Sequence, residues 1–317
     1  MIHKMRIRWI TIALMLLLSQ SSVTYAQERY YLLGKEQLQF KLAADSFEEV
    51  KTPKDWEEMF DFDGMRYQVK KKAIIDSSDV EGIAIDSFTY GSKEEYSLTI
   101  YFKKDSWDRV YDSTKGTIGK RLAVIRNNKL FSVPLVRDAI DASTGISGGI
   151  DSTKLKTFIN GLTPAESPDK STRGKEYISW LEHRQASNKN DLALASKLAN
   201  LYFVGGTKDY AKAAQLFELI LQKDPSKADT YSNLGTCYAA LGKTDKAIEM
   251  YTKAIAAQPQ SEWAFRSYLA ELYFSKGDKP KAIEEMSKSI ALMKNASMPG
   301  SEGAIKSLER RLNEMKK

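Results

Sequence analysis

Cysteine is nearly absent. Cys237 is the single one in 317 residues, so no disulfide can form within the chain in any redox compartment. Histidine is almost as scarce, with His3 and His183 the two present. A zinc site of the usual Cys/His kind cannot be assembled from that set. A histidine-based nucleophilic site would have to use His183, which lies between Glu182 and Arg184 on a polar stretch and reads as an exposed helical histidine. Strong charge of one sign is missing too. The formal net charge is +7, spread over interspersed cations and carboxylates, and that mild balance argues against nucleic acid as a partner. Beyond the first twenty-odd residues no segment is apolar enough to span a bilayer, so no membrane span is expected in the mature chain.

Motifs for bound groups are lacking as well. "GISGG" (145–149) has no Gly-Lys-Ser/Thr after it and no dinucleotide spacing, and reads as a loop. "DFDG" (61–64) lacks the regular oxygen positions and terminal glutamate of a calcium loop. Glu48-Glu49 and Glu57-Glu58 lie in polar stretches that define no hydrolase pair. A lysine-activated serine needs no histidine, but nothing selects one serine. No catalytic residue, metal ion or cofactor is therefore expected.

What is present starts with a leader. Lys4, Arg6 and Arg8 precede an apolar core, Trp9 to Leu18, interrupted by Thr11 alone; Thr24-Tyr25-Ala26 then suits cleavage after Ala26. A ten-residue helix spans ~15 Å against ~30 Å of hydrocarbon, so cleavage is favoured over a retained anchor. With no cysteine near the cleavage point, lipid attachment there is not expected. The protein is expected to be exported, either periplasmic or secreted, with residues 1–26 as signal peptide.

The remainder divides at "TPAESPDKSTRGK" (163–175), which has two prolines and no large apolar residue and reads as a linker. Before it, apolar residues alternate. "MRYQV" puts Met65, Tyr67 and Val69 on one face; "YSLTIYF" does the same for Tyr96, Leu98, Ile100 and Phe102; a weaker strand surrounds Ile83 and Ile85. "SWDRVYDSTKG" suits a helix capped by Asp105 or Ser106, with Trp107, Val110 and Tyr111 inward and Gly116 at its end. "RLAVIRNNKLFSV" reads as a hairpin about Asn127-Asn128. "DSTKLKTFINGL" reads as a helix capped by Asp151 or Ser152, with Leu155, Phe158, Ile159 and Leu162 on one side. The expected class is α+β, one mixed sheet with its helices. Residues 27–61 are an extension of uncertain structure in which "DWEEMF" suits a short helix.

Several elements within 62–162 occur in an order that resembles the head of the first large periplasmic domain of SecD, the accessory subunit of the bacterial protein-export channel. They are Thr114, Ile118-Gly119-Lys120-Arg121-Leu122-Ala123, the turn at Lys129, Ser132-Val133-Pro134 and Gly145-Ile146-Ser147-Gly148. The resemblance implies a module that contacts translocating or unfolded polypeptide. It does not imply translocase activity, which in that family needs membrane helices. Read structurally, Gly119, Gly145 and Gly148 would be turn glycines and Pro134 an edge residue.

After the linker the period is helical and repeats. Residues 228–261 carry Leu234-Gly235, Tyr238, Gly242, Ala247, Tyr251, Ala254 and Pro259. Residues 192–227 carry Leu198-Ala199, Tyr202, Ala213, Phe217 and Pro225, with a turn two residues longer; residues 263–296 carry Leu269-Ala270, Tyr273, Gly277, Ala282 and Met286, with Lys294 in place of the proline. This pattern resembles the tetratricopeptide repeat, a helix-turn-helix in which small residues let helices touch. One repeat cannot bury its own apolar faces, so neighbours and caps are needed. Tyr177, Ile178 and Leu181 offer an N-terminal lid, and 301–316, with Ile305, Leu308, Leu312 and Met315, a C-terminal capping helix, so that the all-α repeat domain runs over 176–317.

In such repeats the first helices line the binding face, which selects Ser196, Asn200 and Phe203, then Ser232, Asn233 and Thr236, then Tyr268, Glu271 and Phe274. Asn and Ser suit a peptide backbone; Phe and Tyr suit its side chains. Asn200 and Asn233 coincide with asparagines of the family's carboxylate clamp, but Ser196, Ala264 and Tyr268 stand at its cationic positions, so a free C-terminal carboxylate is not the expected ligand. The reading is an exported, non-enzymatic protein- or peptide-binding protein of envelope maturation or assembly. The alternatives are a structural scaffold of an envelope complex and, third, a Ser/Lys hydrolase in 27–162.

Overall fold

The computed structural model describes residues 29–33, 37–45, 53–90, 93–147, 150–167, 169–205, 208–296 and 301–317. The expected signal peptide and cleavage point lie outside them. Contacts divide the described chain between Arg173 and Gly174, and each side is taken in turn.

The N-terminal unit is α+β, but the single mixed sheet of the expectation is two sheets, antiparallel in every described pairing. The first holds β1 (Arg29–Leu32), β6 (Val80–Tyr90), β7 (Lys93–Phe102), β10 (Ser143–Ser147) and β11 (Thr163–Ala165), in the order β10-β7-β6-β1-β11. The second holds β2 (Leu38–Asp45), β3 (Trp56–Phe60), β4 (Arg66–Lys70), β5 (Ile75–Asp76), β8 (Arg121–Arg126) and β9 (Lys129–Ser132), in the order β3-β4-β2-β8-β9, with β5 also on β2. Register follows the alternation: Ile83 lies opposite Ile100 and Ile85 opposite Leu98, and all four are buried. Leu122 to Arg126 are buried without a break because β8 has a core on each face. On one, Phe40 of β2 meets Phe102 of β7, ring centroids 5.9 Å apart. On the other, Ala43, Val69, Ala123, Ile125 and Leu130 cluster with Met59, Tyr67 and Val133.

Helix α1 (Trp107–Lys115) starts at Ser106, whose side chain makes no capping bond, and ends at Gly116. Thr114 near its end is wholly buried; its Oγ1 accepts from Ile140 N at 2.9 Å and pins the 136–142 segment. Helix α2 (Ser152–Ile159) is capped by Asp151, which accepts from the amides of Thr153 and Lys154. Asn127 and Asn128 have φ of 49° and 61°, the left-handed pair of a tight hairpin. Asn127 also exchanges hydrogen bonds with Gln37, tying the turn to the start of β2.

Several expectations fail here. "DWEEMF" is strand β3, paired along its length with β4; two adjacent glutamates mask an alternation in which Met59 alone turns to the core. Met65 precedes β4 and is 45% exposed, off the Tyr67–Val69 face. Gly145 is no turn glycine: it lies opposite Thr99 in β10, so part of "GISGG" is strand. Within the segment read as a linker, 163–165 form edge strand β11 against β1, where Pro164 is tolerated, and a helix begins at Lys170; the division between the two units also falls within it, after Arg173.

Arg173 closes this unit. Its guanidinium pairs with Glu81, donates to the carbonyls of Phe102 (2.7 Å) and Ala142 (3.0 Å), and lies over the rings of Tyr101 and Trp107.

The C-terminal unit is all-α. Helix α3 (Lys170–Ser187) runs into it; α4 (Leu192–Val204) and α5 (Tyr210–Lys223), α6 (Ala228–Ala240) and α7 (Thr244–Ala257), and α8 (Glu262–Ser275) and α9 (Lys279–Asn295) form three hairpins, and α10 (Glu302–Lys316) follows. Helix α9 continues through Lys294, where the other repeats carry a proline near the end. Ala199, Ala213, Ala247, Ala270 and Ala282 are fully buried at helix contacts. A Cβ on Gly235 would stand 3.3 Å from the Tyr251 ring, which is why the smallest residue sits there.

A second device links successive repeats. The Tyr202 hydroxyl reaches Glu182 on α3, and the Tyr238 hydroxyl reaches Glu218 on α5. A lysine lies over each repeat's tyrosine: Lys212 on Tyr202, Lys246 on Tyr238, Lys281 on Tyr273. Because Glu182 stands to Tyr202 as Glu218 stands to Tyr238, α3 occupies the place of a second helix. It is half a repeat rather than only a lid.

Candidate functional site

Helices α4, α6 and α8 are the first helices of the three hairpins and carry all nine expected groove residues. Thr236 of α6 and Tyr268 of α8 meet at one side chain, Tyr251 of α7. Thr236 Oγ1 and the Tyr251 hydroxyl share a hydrogen bond of 2.8 Å, and the Tyr251 and Tyr268 rings stack with centroids 5.1 Å apart. Burial pushes the phenols of Tyr251 and Tyr268 up, so both stay neutral donors. Ser232 donates to the Asp229 carbonyl and Thr236 to that of Ser232, so both hydroxyls are committed locally.

Asn200 is exposed, and Ser196 and Asn233 are half-buried. None of the three side chains has a hydrogen-bond partner among the described residues. Phe203 points elsewhere. Its ring packs edge-on against Tyr210 (6.2 Å) and Phe217 (5.9 Å) of α5, filling its own repeat.

Glu271 and Phe274 are covered by a residue that the pattern does not single out. Arg311 of α10 donates through Nε and Nη2 to the two Glu271 oxygens at 2.7 and 2.8 Å. Its guanidinium lies 4.9 Å from the Phe274 ring centroid and also donates to Glu314. A cavity of about 150 Å³ adjoins this pair, reached by Ser267, Ser307 and Arg310. The expected groove thus continues onto α10, and its third-repeat end is set by an ion pair. Glu271 and Arg311 are 40 residues apart, beyond any helical spacing, so no local signal joins them.

Cys237, beside this face on α6, is fully buried and its thiol is pushed up to about 12 by that burial. Since the thiolate is the reactive form, Ellman's reagent at pH 8 should leave the native protein unmodified and titrate one thiol in guanidinium chloride. Rapid reaction of native protein would contradict the packing of α6. Asp61, in the calcium-like stretch, spends its carboxylate on the amides of Asp63 and Met65. Among the described residues no cluster of His, Cys, Asp and Glu is arranged to hold a metal ion, and no helix is long and apolar enough to cross a membrane.

Comparison with known proteins matches both halves. The SecDF P1 head subdomain family matches residues 52–160, and the tetratricopeptide repeat family matches residues 206–264. No curated protein matches. Similar solved structures include MamA MSR-1 (21% identity, TM-score 0.37, covering 40% of this chain and 72% of that one). The Yersinia enterocolitica type III secretion chaperone SycD in complex with a peptide of the translocator YopD is similar at 22% identity and TM-score 0.35, covering 38% of this chain and 89% of that one. PcrH in complex with the chaperone-binding region of PopD is similar at 21% identity and TM-score 0.35, covering 41% and 93%. The chain thus joins a segment resembling the SecDF P1 head subdomain to an array resembling tetratricopeptide repeats.

Proposed function

We propose that this is an exported, non-enzymatic protein that binds an extended polypeptide along the face of α4, α6 and α8, acting in envelope protein maturation or assembly. The observation that carries the reading is the pair Asn200 and Asn233, on the first helices of adjacent repeats, with side-chain amides uncommitted among the described residues. An asparagine amide donates and accepts at once, which matches the alternating N–H and C=O of an extended backbone. Half-buried Tyr268, held by its stack on buried Tyr251, offers a rigid surface for a side chain. The head-like segment supplies a second polypeptide-contacting module by its resemblance. Residues 1–26 are the export signal.

The test is crosslinking in living cells. A photo-reactive residue at Asn233 should capture defined polypeptides, identified by mass spectrometry. Asn200→Ala with Asn233→Ala should lower pull-down of the same partners by about tenfold, the loss of one or two well-made hydrogen bonds at ~1 kcal/mol each. Capture no greater than from the same probe at exposed Glu249 on α7 would refute the groove. N-terminal sequencing of exported protein should begin at Gln27.

A further inference from the structure

A cavity of about 620 Å³ opens in the C-terminal unit between α3, the α4–α5 turn and the end of α6. It is distinct from the first-helix face. Ile178, Tyr202, Tyr210 and Leu241 supply its apolar and aromatic lining, and Lys175 and Lys208 are exposed beside it.

The repeat pattern provides its own comparison for this site. One repeat further on, the positions of Ala211 and Leu241 are held by Asp245 and Lys276, which form an ion pair across the junction. At the first junction that pair is replaced by two apolar residues, and Leu241 is left 38% exposed. Tyr210 stands where the next repeat has Thr244. An ordinary solvated junction has thus become an open apolar floor.

The charges around it do not cancel. Glu182 is spent on Lys212 (2.8 Å) and the Tyr202 hydroxyl. Asp209 accepts from the neutral Lys212 amide at 3.0 Å and keeps its charge, so the three lysines and two carboxylates of the lining leave an excess of one positive charge. The ammonium groups of Lys175 and Lys208 pair with no carboxylate among the described residues. Two cations beside an apolar floor complement one kind of occupant.

We propose that this cavity is a second docking site, one for an acidic linear segment of a partner polypeptide. An aromatic or branched apolar side chain sits among Ile178, Tyr210 and Leu241, and flanking carboxylates face Lys175 and Lys208. The volume falls in the range of ~300–1,000 Å³ typical of sites that enclose a ligand, enough for one large side chain and its neighbouring backbone. Rim charges would steer the encounter, and the apolar seat would slow release.

The test is fluorescence anisotropy with the purified protein and a short labelled peptide bearing a Phe-Leu pair between glutamate runs. A version with lysine in place of glutamate serves as the control. The acidic peptide should bind, more tightly at low salt, and the lysine version should not. The double variant Ala211→Asp with Leu241→Lys installs the ion pair of the next junction, and should weaken binding at least about tenfold with circular dichroism unchanged. Lys175→Glu with Lys208→Glu changes only exposed side chains and should do the same, which keeps the question decidable if the first variant misfolds. Asn200→Ala with Asn233→Ala should bind the peptide as the unaltered protein does, so the two sites fail or stand separately. Equal affinity for both peptides, equal affinity in the Lys175/Lys208 variant, or a loss confined to the Asn200/Asn233 variant would each overturn the proposal.

Discussion

Trp107→Ala is expected to destabilise the N-terminal unit by about 3–5 kcal/mol, the range for deleting a large buried aromatic. Trp107 has no exposed surface and is the first of the largest fully buried side chains. Its indole N–H donates to the Phe102 carbonyl at 2.9 Å, the same oxygen that accepts from Arg173 at 2.7 Å. The Arg173 guanidinium also lies over its ring. Truncation therefore leaves a void and removes the surface against which Arg173 is held. For a unit of this size the loss corresponds to a fall in Tm of about 10 °C. Trp107→Phe keeps most of the volume and gives up the indole donor, so it should cost much less. The measurement is urea unfolding followed by circular dichroism, with hydrogen exchange to assign the change to β6 and β7. A cost below about 1 kcal/mol for the alanine variant would mean that the indole is not central to this core.

Tyr251→Ala should have a comparable effect on the C-terminal unit, about 3–5 kcal/mol, with a different signature. Tyr251 packs on Gly235, stacks on Tyr268 and bonds Thr236, so it joins α6, α7 and α8 at one point. Stability in a repeat array is a sum of repeat and neighbour terms. Weakening the middle should split unfolding, with exchange protection lost first in α6 and α7 while α9 and α10 keep theirs. Tyr251→Phe removes one hydrogen bond, leaves Thr236 bonded to the Ser232 carbonyl, and should cost about 1 kcal/mol. If the alanine variant unfolds in one transition at an unchanged midpoint, the junction is not the coupling element.

Local rules made a good part of this structure legible. The β7 alternation, the Asn127-Asn128 turn, the Asp151 cap and the three helical hairpins depend on residues a few positions apart, where side-chain period, backbone sterics and capping act directly. The errors have physical causes too. Strand β3 lacks the apolar alternation of a half-buried strand because Glu57 turns toward Lys41 and pairs with it at 2.9 Å. Strand β11 is short, polar and contains Pro164, and exists through its pairing with β1 across more than 130 residues of sequence. Phe203 belongs to the groove by pattern position, but its ring finds Tyr210 and Phe217 instead.

By itself the amino-acid order determined the helical repeat, its small-residue contacts, the single isolated thiol and most strands of the head-like segment, because periodicity and composition act over one or two turns of chain. The tertiary structure alone decided that the strands sort into two sheets, that Arg173 closes the first unit, that Arg311 covers Glu271 and Phe274, and that a cavity opens beside Leu241. Those outcomes depend on which distant groups share a desolvated space. Long-range pairing is settled by the joint burial of both partners, and neither partner's neighbours in the chain record it.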